Sequence, residues 1–369
     1  MTTFVILGGC GFIGRNLVTK LASTDGVALP VVVADKVLPD LAHLSADELA
    51  LYKDEGKVKF IQANLSSEAS VKRVFDGLPS GAVVVNAGGE TKYSQADAVY
   101  AESVVKATSA CAKAAAGASV AKFIELSTAQ VYDSSKKPSD ESGKTKPWTG
   151  LAKAKLAAEA EVTSSGVPYT ILRLAVVYGR GDVTGLMPRV LCAATYTQAD
   201  AGTMDFLWDG DQRMNTVHVD DVVGAILHAG ITAVDATAGK IFNLADKSDT
   251  SQGSVNKLLE EIFGIKTGFL GNMKSKAATA VAMKTVAAQA NDKHMEPWST
   301  LCKDKGITST HLTPFLDEEL LYNNSLAANG AAIEATGFAY SKPQLTKDEL
   351  VSSIDYAESI GAFPKGVRK

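Results

Sequence analysis

Cysteine is scarce in this chain, and what there is lies far apart. Cys10, Cys111, Cys192 and Cys302 are the only four in 369 residues, and none forms a C-x-x-C pair. A disulfide frame and a zinc site are therefore not expected, and a reducing compartment suits this usage. Long apolar runs are missing too: no stretch approaches the roughly 20 apolar residues that a membrane span needs. The first apolar run, Phe4 to Leu7, is too short for a signal peptide, and no Arg-rich presequence is visible, so a cytoplasmic location is expected. Neither sign of charge dominates, with 37 Lys and Arg against 41 Asp and Glu and a net charge of −4, which leaves no electrostatic footprint for nucleic acid. Repeats and low-complexity linkers are absent as well. The expectation is one compact unit of two lobes, with a core over residues 1–180 and a C-terminal lobe over 181–369. A strand and helix near 215–245 should return to the core.

What is present begins at the N-terminus. Phe4 to Leu7 run apolar without alternation, as a buried parallel strand does. Glycines follow at Gly8, Gly11 and Gly14, and Ile13, Leu17 and Leu21 then repeat at helical spacing. Strand, glycine turn and helix together suit a dinucleotide. The first glycine permits the tight turn, the second lets backbone approach a pyrophosphate, and the third lets the helix pack on the strand. Free N–H groups at Phe12 and Ile13, at the positive end of the helix dipole, would face the phosphates.

Further along, Val31 to Ala34 form a second strand ending on Asp35, about 20 residues after the glycines, where a carboxylate can accept both ribose hydroxyls. Such an acid repels a 2′-phosphate, which favours NAD over NADP, although Lys36 beside it could pair with one. Residues 40–56 look inserted, and Ser45 to Glu48 read as a capping box. A third strand around Val58 to Ile61 leads to Asn64-Leu65, placed to flank an adenine. The fourth, Val83 to Val85, runs into Asn86-Ala87-Gly88-Gly89, where Ala87 and Gly88 let a ligand lie close to backbone. The fifth, Phe123 to Leu126, leads into Ser127-Thr128-Ala129-Gln130-Val131-Tyr132. Strands alternating with helices of this length predict an α/β fold with a doubly wound parallel sheet.

The ordered set GGCGFIG, Asp35, Asn64-Leu65, NAGG, STAQVY, LRLAVVYGRGD and VHVDDV resembles the extended short-chain dehydrogenase/reductases. That group includes the NAD-dependent epimerase/dehydratases and the 3β-hydroxysteroid dehydrogenase/isomerases. The resemblance covers nearly the whole chain. It implies a Rossmann-like sheet that binds NAD(P), a smaller C-terminal α/β lobe closing over a small-molecule substrate, and a nucleotide-sugar or sterol-like substrate class. By the same resemblance Thr128 hydrogen-bonds the reacting oxygen, Leu174 to Val177 pass beside the nicotinamide, and Arg213 is a candidate for a substrate diphosphate. Two departures accompany the match: Asn64 stands where Asp is usual, and Leu174 follows Arg173 where Pro is usual.

The family's chemistry uses a Tyr-x-x-x-Lys pair on the next helix, because a phenol needs a neighbouring ammonium to trade protons near neutral pH. Here that helix reads Thr149-Gly150-Leu151-Ala152-Lys153-Ala154-Lys155, and Glu159 four residues on selects Lys155 as the lysine. The tyrosine position is then Leu151. Choosing Lys153 instead puts Thr149 there. Either another residue supplies the proton, with Tyr93 first and Glu90 and Tyr132 behind it, or the fold binds a dinucleotide without turnover, as a scaffold or interaction subunit. Glu90 also ranks as a substrate contact.

In the C-terminal half, His218 has no second His or Cys at ligand spacing, so no metal is expected. Asp220 or Asp221 should cap the following helix. Residues 272–312, with Lys274, Lys276 and Lys284 around an Ala-rich stretch, read either as a lobe helix with a long connection or as a surface for a protein partner or membrane. Oligomeric state stays open.

Overall fold

In the computed structural model, residues 1–197, 202–279 and 282–369 are described. Eleven strands are found among them: β1 (Thr2–Leu7), β2 (Val27–Asp35), β3 (Val58–Gln62), β4 (Val83–Asn86), β5 (Lys122–Thr128), β6 (Tyr169–Leu174), β7 (Val176–Tyr178), β8 (Thr203–Phe206), β9 (Thr216–His218), β10 (Lys240–Leu244) and β11 (Lys266–Phe269). Seven build one parallel sheet in the order β10-β6-β5-β4-β1-β2-β3. From β1 the chain builds outward through β2 and β3, then returns to add β4 on the other side of β1. The reversal opens a crevice beyond the C-terminal ends of β1 and β4, where such sheets take their ligands.

Alternate residues of each strand point to opposite faces, and both faces are covered. Phe4, Ile6, Val33 and Val85 pack with Leu17, Val18 and Leu21 of the helix Phe12–Leu21 and with Val222 and Ile226 of the helix Val219–Leu227. Val5, Leu7, Val32 and Val84 pack on the other side with Val71 and Phe75 of the helix Glu68–Phe75 and with Cys111 and Ala115 of the helix Ala107–Gly117. Each large apolar side chain so buried contributes about 1.5–3 kcal/mol. This two-sided burial explains why the strands read as continuous apolar runs.

A second core holds the C-terminal lobe. The helix Met187–Thr195 lies between the helices Gln252–Phe263 and Met283–Asp304, and the helix Lys347–Ser359 closes the cluster with Leu350 and Ile354. The 272–312 stretch thus contains the helix Met283–Asp304, whose Trp298, Leu301 and Cys302 are buried in this core. Ala280 and Val281 lie outside the described residues.

The VHVDD motif ties the lobe to the sheet, in a different way from the one its spacing predicts. His218, not an aspartate, caps the helix Val219–Leu227, its Nδ1 accepting from the Asp220 N–H. Asp221 instead accepts from the backbone N–H groups of Ser341 and Lys342 and from the Ser341 hydroxyl. Its carboxylate is needed across the fold, so the imidazole takes the cap.

Candidate active site

The glycine loop crosses the end of β1 under tight steric control. Gly8 has φ +76°, and a Cβ there would lie 2.6 Å from Gly88 backbone, while a Cβ on Gly14 would lie 2.3 Å from the Gly8 carbonyl oxygen. Both glycines are forced by contact. At Gly11 the Gly8 carbonyl, 3.2 Å from the built Cβ, is the one near neighbour. Two residues hold the loop's carbonyls from behind. Tyr52 donates to the Gly9 carbonyl, and Arg15 donates to those of Cys10 and Gly11. Tyr52 lies on the inserted helix Ala46–Lys53, which opens with the expected capping box of Ser45 and Glu48.

Asp35, at the end of β2, is buried, and its carboxylate accepts from the Cys10 and Val37 N–H groups. A carboxylate retains lone pairs after two such bonds and can still accept from hydroxyls. Asn64 is exposed and turns its Oδ1 to the Ser66 N–H, while Leu65 lies over Gly88, its Cδ1 2.7 Å from where a Cβ would be. Ala87 and Gly88 are half-buried at the end of β4, Leu174 ends β6, and Val177 lies in β7. A narrow floor of glycine, an acid at the second strand and small residues at the fourth together fit a dinucleotide.

Lys155 sits on the inward face of the helix Gly150–Ser164 with Leu151, Ala158 and Glu159. Its Nζ donates to the Leu126 carbonyl at 2.7 Å and to Glu125 Oε1 at 3.2 Å. Glu125 is fully buried and also accepts from Asn86, which bonds Thr108 in turn. Burial pushes the Glu125 carboxyl up, and Lys155 and Asn86 offset this only in part, so it stays above the ordinary carboxylate range. The neighbouring acid, Glu159, accepts from Ser127 and forms a forked pair with Arg173, whose other arm bonds the Tyr132 hydroxyl. Tyr132 donates to Asn243. Among the candidates for proton exchange, Tyr132 is thus spent inside the core.

Leu151 is buried with Tyr100, Val104, Ala154 and Ala158, and Tyr93 packs against this small cluster. The Tyr93 hydroxyl accepts from Gln130 Nε2 at 2.9 Å, and Gln130 Oε1 accepts from the Thr149 hydroxyl at 3.0 Å. Thr149 is also the N-cap of the helix that carries Leu151, accepting from the Ala152 N–H. Burial, helped by Asp317 and Glu319 and opposed by the Gln130 amide, pushes the Tyr93 phenol up to about 12. Thr128 lies two residues before Gln130, its Oγ1 accepting from the Gln130 N–H at 3.2 Å. Glu90 folds back on the N–H groups of Thr91 and Lys92, and Arg213 pairs with Asp249 at 2.9 Å.

Asp317 and Glu319 reach this place from the C-terminal lobe. Glu319 accepts from the Gly150 and Ser94 N–H groups at 2.9 and 3.0 Å, and Asp317 from the Ser94 hydroxyl. Their segment is anchored on the lobe side by Asn291 at Leu316 and by Trp208 at the Leu321 carbonyl. Sequence reasoning named Thr149 only as an alternative acid position and missed Gln130, Asp317, Glu319 and Glu125. Gln130 stood beside named motif residues, whereas nothing local marks the other three.

Comparison with known proteins agrees with this geometry. Residues 4–245 match the NAD dependent epimerase/dehydratase family. The chain is similar to a dTDP-glucose 4,6-dehydratase of Streptomyces griseus, 28% identical over 280 residues, covering 73% of this chain and 81% of that protein. In structure it is similar to UDP-glucuronic acid 4-epimerase from Bacillus cereus, solved with UDP-glucuronic acid and NAD, at a TM-score of 0.71, 17% identity and coverage of 97% of this chain and 100% of that one. The DesIV dTDP-glucose 4,6-dehydratase from Streptomyces venezuelae, solved with NAD, aligns at a TM-score of 0.69 with 19% identity, covering 97% of each chain. With glycine loop, second-strand acid and family match in agreement, the chain belongs to the NAD-dependent epimerase/dehydratase family.

Proposed function

We propose that this protein binds NAD in the crevice between β1 and β4 and carries out oxidation–reduction at a hydroxyl or carbonyl carbon of a nucleotide-sugar, with Tyr93 in the role of the missing helix tyrosine. The observation that carries this reading is the packing of Tyr93 against the Leu151 cluster, with its hydroxyl joined through Gln130 to the cap of the same helix. The Tyr93 phenol gives its proton to a carbonyl oxygen as the carbon gains hydride and, as phenolate, takes it back from a hydroxyl whose carbon loses hydride to NAD; burial, which pushes the phenol up to about 12, favours the donating direction.

In this reading Gly8, Gly11, Phe12, Ile13 and Gly14 cradle the pyrophosphate, Asp35 holds the adenosine ribose, and Asn64 and Leu65 flank the adenine. Ala87 and Gly88 allow close approach, while Leu174 and Val177 line the nicotinamide end. Bound NAD supplies a hydride acceptor and donor. Thr128 accepts from Gln130, so its own O–H remains to bond the reacting oxygen. Lys155 keeps part of its donor capacity for the nicotinamide ribose. Among the described residues the Arg213 side chain is held by the exposed Asp249 alone, so a substrate diphosphate competes with a weak surface pair. The nucleotide-sugar class rests on the relatives, which handle dTDP- and UDP-linked sugars. Its four cysteines are free and buried, which suits a cytoplasmic setting.

A scaffold without turnover is the second reading, favoured by the Lys155–Glu125 pair and by Leu151. One experiment separates them. NAD binding and hydride transfer are measured with dTDP- and UDP-hexoses for the wild type and Tyr93→Phe. The proposal expects turnover that falls by about 10²–10⁴ in the variant with NAD affinity retained. Turnover that survives Tyr93→Phe removes Tyr93 from the chemistry, and NAD binding without transfer to any such sugar favours the scaffold.

A further inference from the structure

Arg15 is a buried cation with no carboxylate against it among the described residues. It is 7% exposed, and its donors go to carbonyl oxygens: Gly11 at 3.2 Å, Cys10 at 2.9 Å, Ala42 at 2.7 Å and His43 at 3.0 Å, with the Tyr356 hydroxyl at 3.5 Å. No ion pair to it is found among the described residues. Glu48 is reached only through the Tyr356 hydroxyl and is already paired with Arg180 at 3.1 Å. Asp35 is held by the Cys10 and Val37 N–H groups. A guanidinium cannot shed its proton, and a buried charge without a counter-ion is costly.

The two loop carbonyls that Arg15 holds belong to Cys10 and Gly11, the peptides that lead directly into the N–H groups at the start of the helix Phe12–Leu21. A peptide unit is planar, so fixing a carbonyl fixes the N–H of the next residue on the opposite side. Holding the Gly11 carbonyl, Arg15 aims the Phe12 N–H, while the Gly11 N–H is closed on the Gly8 carbonyl at 3.1 Å and braces the turn. Tyr52 does the same for the Gly9 carbonyl without carrying charge.

Resting on the reading that the loop binds NAD, we propose that Arg15 is a positioning residue for the cofactor's pyrophosphate, supplying its counter-charge from behind the loop and fixing the peptide plane that presents the Phe12 N–H to it. The charge acts through the loop, without direct contact. An arginine that merely holds loop to insertion would serve the adenosine end and the diphosphate equally.

The test compares affinities for NAD and for adenosine, which lacks the diphosphate, in the wild type, Arg15→Met and Arg15→Lys. Arg15→Met is expected to weaken NAD by about tenfold or more, equivalent to about 1.4 kcal/mol, while adenosine changes less than about twofold. The salt dependence of NAD binding should flatten in the same variant. Arg15→Lys, which keeps the charge, should retain the wild-type preference for NAD over adenosine, and it carries the test if Arg15→Met does not fold. Equal loss for both ligands in Arg15→Met, unchanged NAD affinity, or loss of the NAD preference in Arg15→Lys would overturn the proposal. A wild type that binds neither ligand brings down the cofactor reading itself, a separate outcome.

Discussion

Lys155 and Glu125 form a buried ion pair, Nζ to Oε1 at 3.2 Å, with 11% and 0% of their side chains exposed. The lysine expected to serve the cofactor is therefore also part of the sheet's interior. Removing one partner strands the other charge in the core, so Glu125→Ala and Lys155→Met should each cost about 3–5 kcal/mol, read by urea titration. The double variant should cost less than the sum of the two.

Restoring the family tyrosine should not help. Leu151 is 8% exposed among Tyr100, Val104, Ala154 and Ala158. Leu151→Tyr overfills that cluster and displaces Tyr93, so a loss of about 1–3 kcal/mol is expected with no gain in turnover. Thermal melting and a turnover assay check both parts. A gain in turnover would show that Leu151 had silenced the site.

Glycines of this chain differ in what a methyl group would meet, and the differences are measurable. Gly14→Ala places a Cβ 2.3 Å from the Gly8 carbonyl and should abolish NAD binding. Gly26 has φ +82° with nothing within 4 Å, so Gly26→Ala should cost backbone strain alone, about 1 kcal/mol, and leave NAD affinity unchanged. Titration calorimetry on the pair distinguishes contact from conformation.

Acid should loosen the seam between the insertion and the C-terminal lobe. The His43 and His311 rings stack there with centroids 4.2 Å apart, and burial, then His43, then Arg15 lower His311 from 6.5 to about 4. The unfolded chain binds the proton first, so stability is fully present above about pH 6.5 and is lost as pH falls towards 4. His311→Phe should flatten the denaturation midpoint over that window. An equally steep slope in the variant would assign the acid sensitivity elsewhere.

The Asp317–Glu319 contact should be visible by hydrogen exchange. Glu319→Ala frees the N–H groups of Gly150 and Ser94, so their exchange should quicken while the lobe-side contacts at Leu316 stay protected. Unchanged protection at Gly150 would mean that the carboxylate does not hold the segment down.

The cofactor half of the site was legible because its requirements are local. A turn that must pass within van der Waals distance of Gly88 demands glycine, and a buried parallel strand demands an apolar run, so both leave marks in a few consecutive residues. The capping box at Ser45 was legible for the same reason. The cap at His218 was not, because Asp221 is drawn to Ser341 and Lys342, about 120 residues away. No pattern around Asp221 could announce that.

By itself, then, the sequence determined the parallel α/β sheet, the glycine loop with Asp35, and the absence of a tyrosine at position 151, since each is written in neighbouring residues. Only the tertiary structure decided what stands near that absence. Tyr93 comes from the loop after β4, Asp317 and Glu319 from the far lobe, and Glu125 from a strand whose residue alternation does not predict a buried acid. Such groups meet because distant segments fold against one another, and the free energy that holds them there comes from packing that no short window of sequence contains.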